Sequence, residues 1–108
     1  MFSKKYRLLE GIRFEKGSIS TPFFVIKTAK NEMPNSRFGF TVSKKIDKRA
    51  TVRNRIKRQV RSCIEENIEK IKPGKDFLFV IKKEALGKKT EFLCQVILKE
   101  FEKNKFLK

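Results

Sequence analysis

The sequence predicts an α+β fold, a single-domain α-β-β-α-β-α sandwich in which helices pack on a twisted sheet. Three segments, residues 22–28, 37–43 and 76–81, are rich in aromatic and β-branched residues and read as strands. From Val52 onward an apolar residue recurs every four positions, which is the pattern of an amphipathic helix. A chain of 108 residues suits one domain, so we expect residues 1–108 to share one core built largely of phenylalanine.

The N-terminal segment, residues 1–17, has the pattern of a short first helix. Its inward-facing residues would be Leu8, Leu9, Ile12 and Phe14. Gly17 is a natural stop for such a helix. We expect residues 18–22 to connect this helix to the first strand.

The first two strands differ in how they alternate. Residues 22–28 place Phe23 and Val25 on one face and Phe24 and Ile26 on the other, so both faces are apolar. Residues 37–43 place Phe38, Phe40 and Val42 on one face and Arg37, Gly39, Thr41 and Ser43 on the other. Gly39 leaves room for a close approach to the sheet. The eight-residue loop between the strands predicts that they pair as an antiparallel hairpin.

The second half of the chain predicts a crossover. Thr51 is the expected N-cap of a helix over 52–71, which Lys72-Pro73-Gly74 would end. The apolar run 76–81 suits a strand covered on both faces, parallel to the strand before the helix. A basic loop at 82–89 then leads to a C-terminal helix over 90–105.

The most charged stretch of the chain is residues 44–61, in which nine of 18 residues are lysine or arginine. The whole chain carries a formal charge of +16. Surface helices usually mix the two signs, but residues 44–61 contain no glutamate and only one acid, Asp47. We therefore favour a polyanion-binding ridge, whose binding should depend on salt, over an ordinary solvated helix face.

The composition points away from independent catalysis. There is no histidine, and Cys63 has no candidate base, so we predict no catalytic residue and no metal ligand in this polypeptide. Cys63 and Cys94 could form a disulfide, but we favour buried free thiols, which fit a reducing cytosol. The sequence shows neither a signal peptide nor an apolar run long enough to span a membrane, so we expect a cytoplasmic protein without membrane partners.

Folded RNA is the polyanion that suits a helix backed by a sheet, and no DNA-binding motif is recognisable. A structural or ribosome-associated RNA-binding protein and a nonspecific DNA-coating protein stay as alternatives. Phe24 and Ile26 could support unpaired bases on an outer sheet face, although Phe24 fits ordinary core equally well.

The residues Val42-Ser-Lys-Lys-Ile46, followed by Arg53-Asn-Arg-Ile-Lys-Arg58, resemble the signature of the protein subunit of bacterial ribonuclease P. The resemblance extends over nearly the whole chain, the C-terminal third by pattern alone. It implies three helices, a sheet of about four strands and a left-handed βαβ crossover, a fold also found in a domain of a ribosomal protein. It implies endonucleolytic removal of the 5′ leader of precursor tRNA, with the chemistry carried by an RNA subunit and its Mg2+ ions.

The resemblance also implies site residues and partners. The partners would be the RNase P RNA subunit and precursor tRNA, with one protein monomer per RNA. Residues that would bind the RNA subunit are Lys44, Lys45, Lys48, Arg49, Arg53, Asn54, Arg55, Lys57, Arg58 and Arg61. Residues that would line a leader cleft between the first helix and the sheet are Phe14, Phe24, Ile26 and Thr41. The chain departs from the family pattern at Ile26, where an aromatic is common, and in having only Phe14 as a clear aromatic in the first helix.

Overall fold

The fold is given by a computed structural model that describes residues 6–8, 14–15 and 18–108. The strands are β1 (Ile19–Ser20), β2 (Phe24–Lys30), β3 (Arg37–Thr41) and β4 (Lys75–Ile81), and the helices are α1 (Ala50–Glu66) and α2 (Thr90–Lys103). Short 3-10 turns occupy Ile68–Lys70 and Lys83–Ala85. Most of the helix predicted within residues 1–17 lies outside the described residues. In the part of the chain that is described, no helix is both long and apolar enough to cross a membrane.

The four strands form one sheet in the order β1-β2-β4-β3. β4 pairs antiparallel with β2, where Ile81 lies opposite Phe24, and parallel with β3, where Phe77 lies opposite Phe38. The parallel pairing confirms the predicted crossover through α1. The predicted hairpin of β2 with β3 is wrong, because the apolar β4 lies between them and gains a partner on each edge. The handedness of the crossover stays an implication of the resemblance.

The core lies between one face of the sheet and the two helices, and phenylalanine dominates it as predicted. Phe77 of β4 stacks on Phe38 of β3 with ring centroids 5.4 Å apart and on Phe101 of α2 at 5.0 Å. Phe79 stacks on Phe40 at 5.6 Å. Buried aromatic rings each remove a large apolar area from water. These stacks therefore fix β3, β4 and α2 relative to one another.

Helix α1 begins and ends earlier than the sequence predicts. Arg49 occupies the N-cap position, its side chain makes no hydrogen bond that caps the helix, and Thr51 lies inside the first turn, so the Thr51 cap is wrong. At the other end, Asn67 Nδ2 donates to the carbonyl of Cys63 at 2.8 Å, and the chain turns into the 3-10 segment. Helix α1 therefore ends at Asn67 rather than at Lys72-Pro73-Gly74. Gly74, with φ of +93°, instead forms the turn into β4.

A disulfide joins Cys63 of α1 to Cys94 of α2, with the two Cα atoms 5.4 Å apart. The prediction of free thiols is therefore wrong. Each cysteine lies on a helix side that faces the other helix, which periodicity within one helix does not reveal. The bond links the C-terminal half of α1 covalently to α2.

Candidate nucleic-acid interface

The ten predicted RNA-binding residues lie together on one continuous surface, formed by the loop 44–49 and α1. We call this surface the cationic ridge; its residues are Lys44, Lys45, Lys48, Arg49, Arg53, Asn54, Arg55, Lys57, Arg58 and Arg61. Seven of the ten are exposed, and Arg53, Lys57 and Arg61 are half-buried along the sides of the helix. Ile56, Val60 and Ile64 bury the opposite side of α1 in the core. The amphipathic pattern thus fixes which way the cations face.

Two arginines of the cationic ridge organise the loop before α1. Arg53 Nη1 donates to the backbone carbonyls of Asp47 and Lys48, each at 2.8 Å. Arg49 forms a two-point ion pair with the Asp47 carboxylate, at 3.1 and 2.9 Å, and its backbone N–H donates to the same group. The side-chain hydrogen bond from Arg49 is the main reason why the pKa of Asp47 falls to about 2. The Arg53 side chain therefore holds the loop before α1 in place.

The other charged residues of the ridge keep their charge available to a ligand. Among the described residues, six of them make no side-chain hydrogen bond, ion pair or cation–π contact within the protein: Lys44, Lys45, Lys48, Arg55, Lys57 and Arg58. Like charges on neighbouring helix turns repel one another, which costs the free protein stability. Phosphates placed across the ridge would relieve this repulsion and release their own counterions.

A cleft of about 430 Å³ lies beside the ridge, between α1 and β3. Four cations line it, Arg7, Lys57, Arg58 and Arg61, together with the acidic Glu65. The guanidinium carbon of Arg61 lies 5.7 Å from the centre of the half-buried Phe40 ring. The cleft therefore combines positive charge with an aromatic surface, which is the combination that binds single-stranded nucleic acid.

The wall of the cleft opposite α1 comes from the N-terminal segment. Arg7 forms a parallel bridge with Phe38, and the N–H of Leu8 donates to the Phe38 carbonyl at 3.0 Å. A Cβ on Gly39 would lie 2.9 Å from Leu8 Cδ2, so glycine is needed for this approach. The room that the sequence predicted at Gly39 is therefore filled by Leu8. The sequence did not identify Arg7 and Phe40 as cleft residues. The alternation of apolar and polar residues along 37–43 had, however, placed Phe40 and Thr41 on opposite faces of the strand.

The four residues predicted to line a leader cleft do not come together. Phe24 and Ile26 have no exposed surface and pack in the core beneath the helices, so their assignment to the cleft is wrong. Thr41 lies opposite Val80 while Phe24 lies opposite Ile81, and adjacent residues of β4 face opposite sides of the sheet. Phe14 is half-buried near the other edge, where the N–H of its neighbour Glu15 donates to the Thr28 carbonyl. A role in leader binding stays a prediction for Phe14 and Thr41.

The described residues contain no group of three or more metal-binding side chains. Asp47 is the one acid in the loop 44–49, and Arg49 already engages both of its carboxylate oxygens. Asp47 therefore does not fit a direct magnesium ligand.

Comparisons with known proteins match nearly the whole chain. The family model described as "Ribonuclease P" matches residues 2–105. A ribonuclease P protein component of Bacillus cereus strain B4264 is 42% identical over 86 residues, covering 74% of each chain. That of Bacillus cereus strain AH187 is 36% identical over 107 residues, covering 94% of this chain and 92% of the relative.

The fold agrees as well. The solved RNase P protein from Thermotoga maritima superposes with a TM-score of 0.74 at 27% identity, covering 81% of this chain and 82% of that one. The family match extends over almost the entire sequence, and it includes the cationic ridge and strand β3 beside the cleft. The chain belongs to the ribonuclease P protein family.

Proposed function

We propose that this chain works in the cytoplasm as the protein subunit of a ribonuclease P holoenzyme, one copy per RNA subunit. Membership of the family gives it an RNA-binding role in tRNA processing. The endonucleolytic step, which frees the mature 5′ end of tRNA, would be carried by the RNA subunit. This division of work is supported by a chain without histidine and by the nine lysines and arginines within residues 44–61.

The cationic ridge is the surface that would grip the RNA subunit. The observation that carries this proposal is the set of six lysines and arginines there with no partner among the described residues. Phosphates close together in a folded RNA match such a dense row of cations. Asn54, exposed between Arg53 and Arg55, adds an amide that can both donate and accept hydrogen bonds.

The leader of the precursor would occupy the cleft between α1 and β3. Its phosphates would meet Lys57 and Arg61, and an unpaired base would meet the Phe40 ring. This site replaces the predicted one around Phe24 and Ile26, whose side chains are buried. Because the cleft adjoins the ridge along α1, one helix would contact both RNAs.

Magnesium in this proposal belongs mainly to the RNA subunit, where it would activate water and stabilise charge on the phosphate. The protein's part is to supply fixed positive charge beside that RNA. Added protein should therefore lower the concentration of magnesium that cleavage requires, because both neutralise RNA phosphates.

Reconstitution with a bacterial ribonuclease P RNA tests the proposal. At low magnesium, the chain should raise the rate of precursor-tRNA cleavage above that of the RNA alone. Cleavage that stays at the rate of RNA alone, although the protein binds that RNA, would favour a structural RNA-binding role instead. Duplex DNA that competes as well as folded RNA would favour a nonspecific coating protein.

The leader cleft is tested in the assembled holoenzyme, with the protein at saturating concentration. Lys57→Ala should weaken precursor tRNA binding and leave mature tRNA binding, which involves no leader, almost unchanged. Lys103→Ala, an exposed lysine at the far end of α2, is the matched control. Equal losses for precursor and mature tRNA would place the leader elsewhere.

A further inference from the structure

Two phenylalanines form an exposed aromatic surface at the start of α2, away from the cleft. Phe92 is 41% exposed although it is a large apolar residue in a small protein. Phe23 meets it edge to face, with ring centroids 5.2 Å apart and planes at 88°. Neither the ridge nor the cleft uses this pair. We call it, with Lys88, the aromatic patch.

Hydrogen bonds hold the backbone that carries Phe23. The Thr21 hydroxyl accepts hydrogen bonds from the N–H groups of Phe23 and Phe24 at 3.2 and 2.9 Å. The Phe23 carbonyl accepts a hydrogen bond from Lys82 N at 2.9 Å. Phe23 is thus held from both sides, and Phe92 projects from the first turn of a regular helix.

Positive charge surrounds the patch. Lys88 Nζ lies 5.9 Å from the centre of the Phe92 ring, and the exposed Lys83 and Lys89 belong to the same segment between β4 and α2. Glu84 and Glu91 are the acids in this segment, and neither forms an ion pair with a described residue. Apolar rings beside cations match a ligand that combines a flat aromatic group with an anion.

The patch is joined to the ridge through one groove. Gln59 of α1 donates through Nε2 to the Lys88 carbonyl at 2.9 Å and to Thr90 Oγ1 at 3.2 Å. A groove of about 150 Å³ runs between α1 and this turn, and both Arg55 and Lys88 line it. Gly87, with φ of +78°, also lines this groove, in a backbone conformation that favours glycine. Lys88 therefore belongs to the groove and to the aromatic patch.

We propose that the aromatic patch is a second RNA-binding site, which holds an unpaired nucleotide of the RNA subunit that lies on the cationic ridge. Its base contacts the Phe23–Phe92 pair, and its phosphates follow the groove from Arg55 to Lys88. The inference rests on the proposed function of the ridge. Two rings are too small for a stable protein interface, which buries on the order of 1,200 Å² or more, but they match one base.

The test compares Phe92→Ala with Phe92→Tyr in titrations of the full chain against ribonuclease P RNA. Phe92→Ala should weaken binding about tenfold, the usual size of one base–aromatic contact, while Phe92→Tyr keeps the ring and the affinity. Footprinting should show lost protection at an unpaired nucleotide. Circular dichroism of Phe92→Ala should match the parent, because the side chain is already exposed.

The outcomes separate this inference from the proposed function. Normal affinity of a folded Phe92→Ala beside reduced affinity of Arg58→Ala would overturn the second site alone. An unmutated chain that does not bind the RNA would overturn both. If the parent chain forms dimers that Phe92→Ala dissociates while RNA affinity is unchanged, the patch is a protein interface and the inference is wrong.

Discussion

Arg37 of β3 holds the carboxylate of Asp76 on β4 with two hydrogen bonds, from Nε and Nη2, each of 2.8 Å. Asp76 is only 1% exposed, and Asn31 Nδ2 donates to the same carboxylate at 2.7 Å. The hydrogen bond to Asp76 raises the pKa of Arg37 above its ordinary value. These contacts join the loop after β2 to the parallel pair β3–β4. They therefore hold the edge strand that forms one side of the cleft.

Breaking this pair should destabilise the fold strongly. Arg37→Ala should lower the free energy of unfolding by about 3–5 kcal/mol, because it leaves a buried carboxylate without its cation. Urea denaturation measures the loss. Lys75→Ala is the control, because its ion pair with Glu15 spans 3.8 Å and is partly exposed, so its loss should cost under about 1 kcal/mol. If Arg37→Ala and Lys75→Ala lowered the free energy of unfolding equally, the buried Asp76 carboxylate would not need Arg37 for stability.

Phe24 and Thr41 should behave differently when each is replaced by alanine. Phe24→Ala should cost about 3–5 kcal/mol of stability, because it opens a cavity in the core. Thr41→Ala, at an exposed position, should leave stability within about 0.5 kcal/mol. Thermal denaturation of both variants checks this. A stable Phe24→Ala protein with a specific leader-binding defect would restore Phe24 to the leader site.

The cationic ridge should show its phosphate contacts in the salt dependence of RNA binding. Arg58→Ala should weaken affinity for the RNA subunit and reduce the slope of log affinity against log salt by about 0.7–0.9, one phosphate contact. Lys103→Ala, on the far end of α2, should keep the parent slope. A slope that Arg58→Ala leaves unchanged would mean that Arg58 contacts no phosphate.

Reduction of the disulfide between Cys63 and Cys94 should weaken the fold. The bond closes a loop across 31 positions of sequence, for which the expected contribution is about 2–4 kcal/mol. Urea denaturation with and without dithiothreitol measures it. The double variant Cys63→Ala/Cys94→Ala should be insensitive to dithiothreitol. A parent chain that is equally insensitive would show that the bond adds nothing to stability.

The loop before α1 should lose a stabilising contact in acid. The Arg49 side chain lowers the pKa of Asp47 from 3.8 to about 2. Its folded pKa lies below its ordinary value, so the contribution of Asp47 is complete above about pH 3.8 and is lost as the pH falls through 2. The difference in melting temperature between the parent and Asp47→Asn should therefore shrink over this range. A constant difference would contradict the ion pair.

Local patterns predicted the helices better than the sheet. Ile56, Val60 and Ile64 are buried as their spacing required, because one turn of helix depends on residues within four positions. Strand alternation likewise placed Phe38 and Phe40 on the same face correctly. The predicted hairpin of β2 with β3 is wrong. The length of a loop limits which strands can pair, but the burial of β4 between β2 and β3 decides which strands pair in the sheet.

The site followed the same division. The ten residues of the cationic ridge lie on one surface as their charge and helical spacing predicted, and their binding to RNA stays a prediction. The leader residues failed because they come from three separate segments, whose faces depend on the register between strands. Gln59, Phe23 and Phe92 had no sequence signal, because their importance lies in contacts between segments distant in the chain: Gln59 with Lys88 and Thr90, and Phe23 with Phe92.

By itself, the sequence determined the positive charge, the amphipathic α1 and the absence of histidine chemistry, because these depend on composition and on neighbours along the chain. Only the tertiary structure decided that β4 separates β2 from β3, that Phe24 and Thr41 face opposite sides, and that Cys63 meets Cys94. Those outcomes depend on which distant segments pack together to bury the most apolar surface. Distances along the chain do not encode that choice.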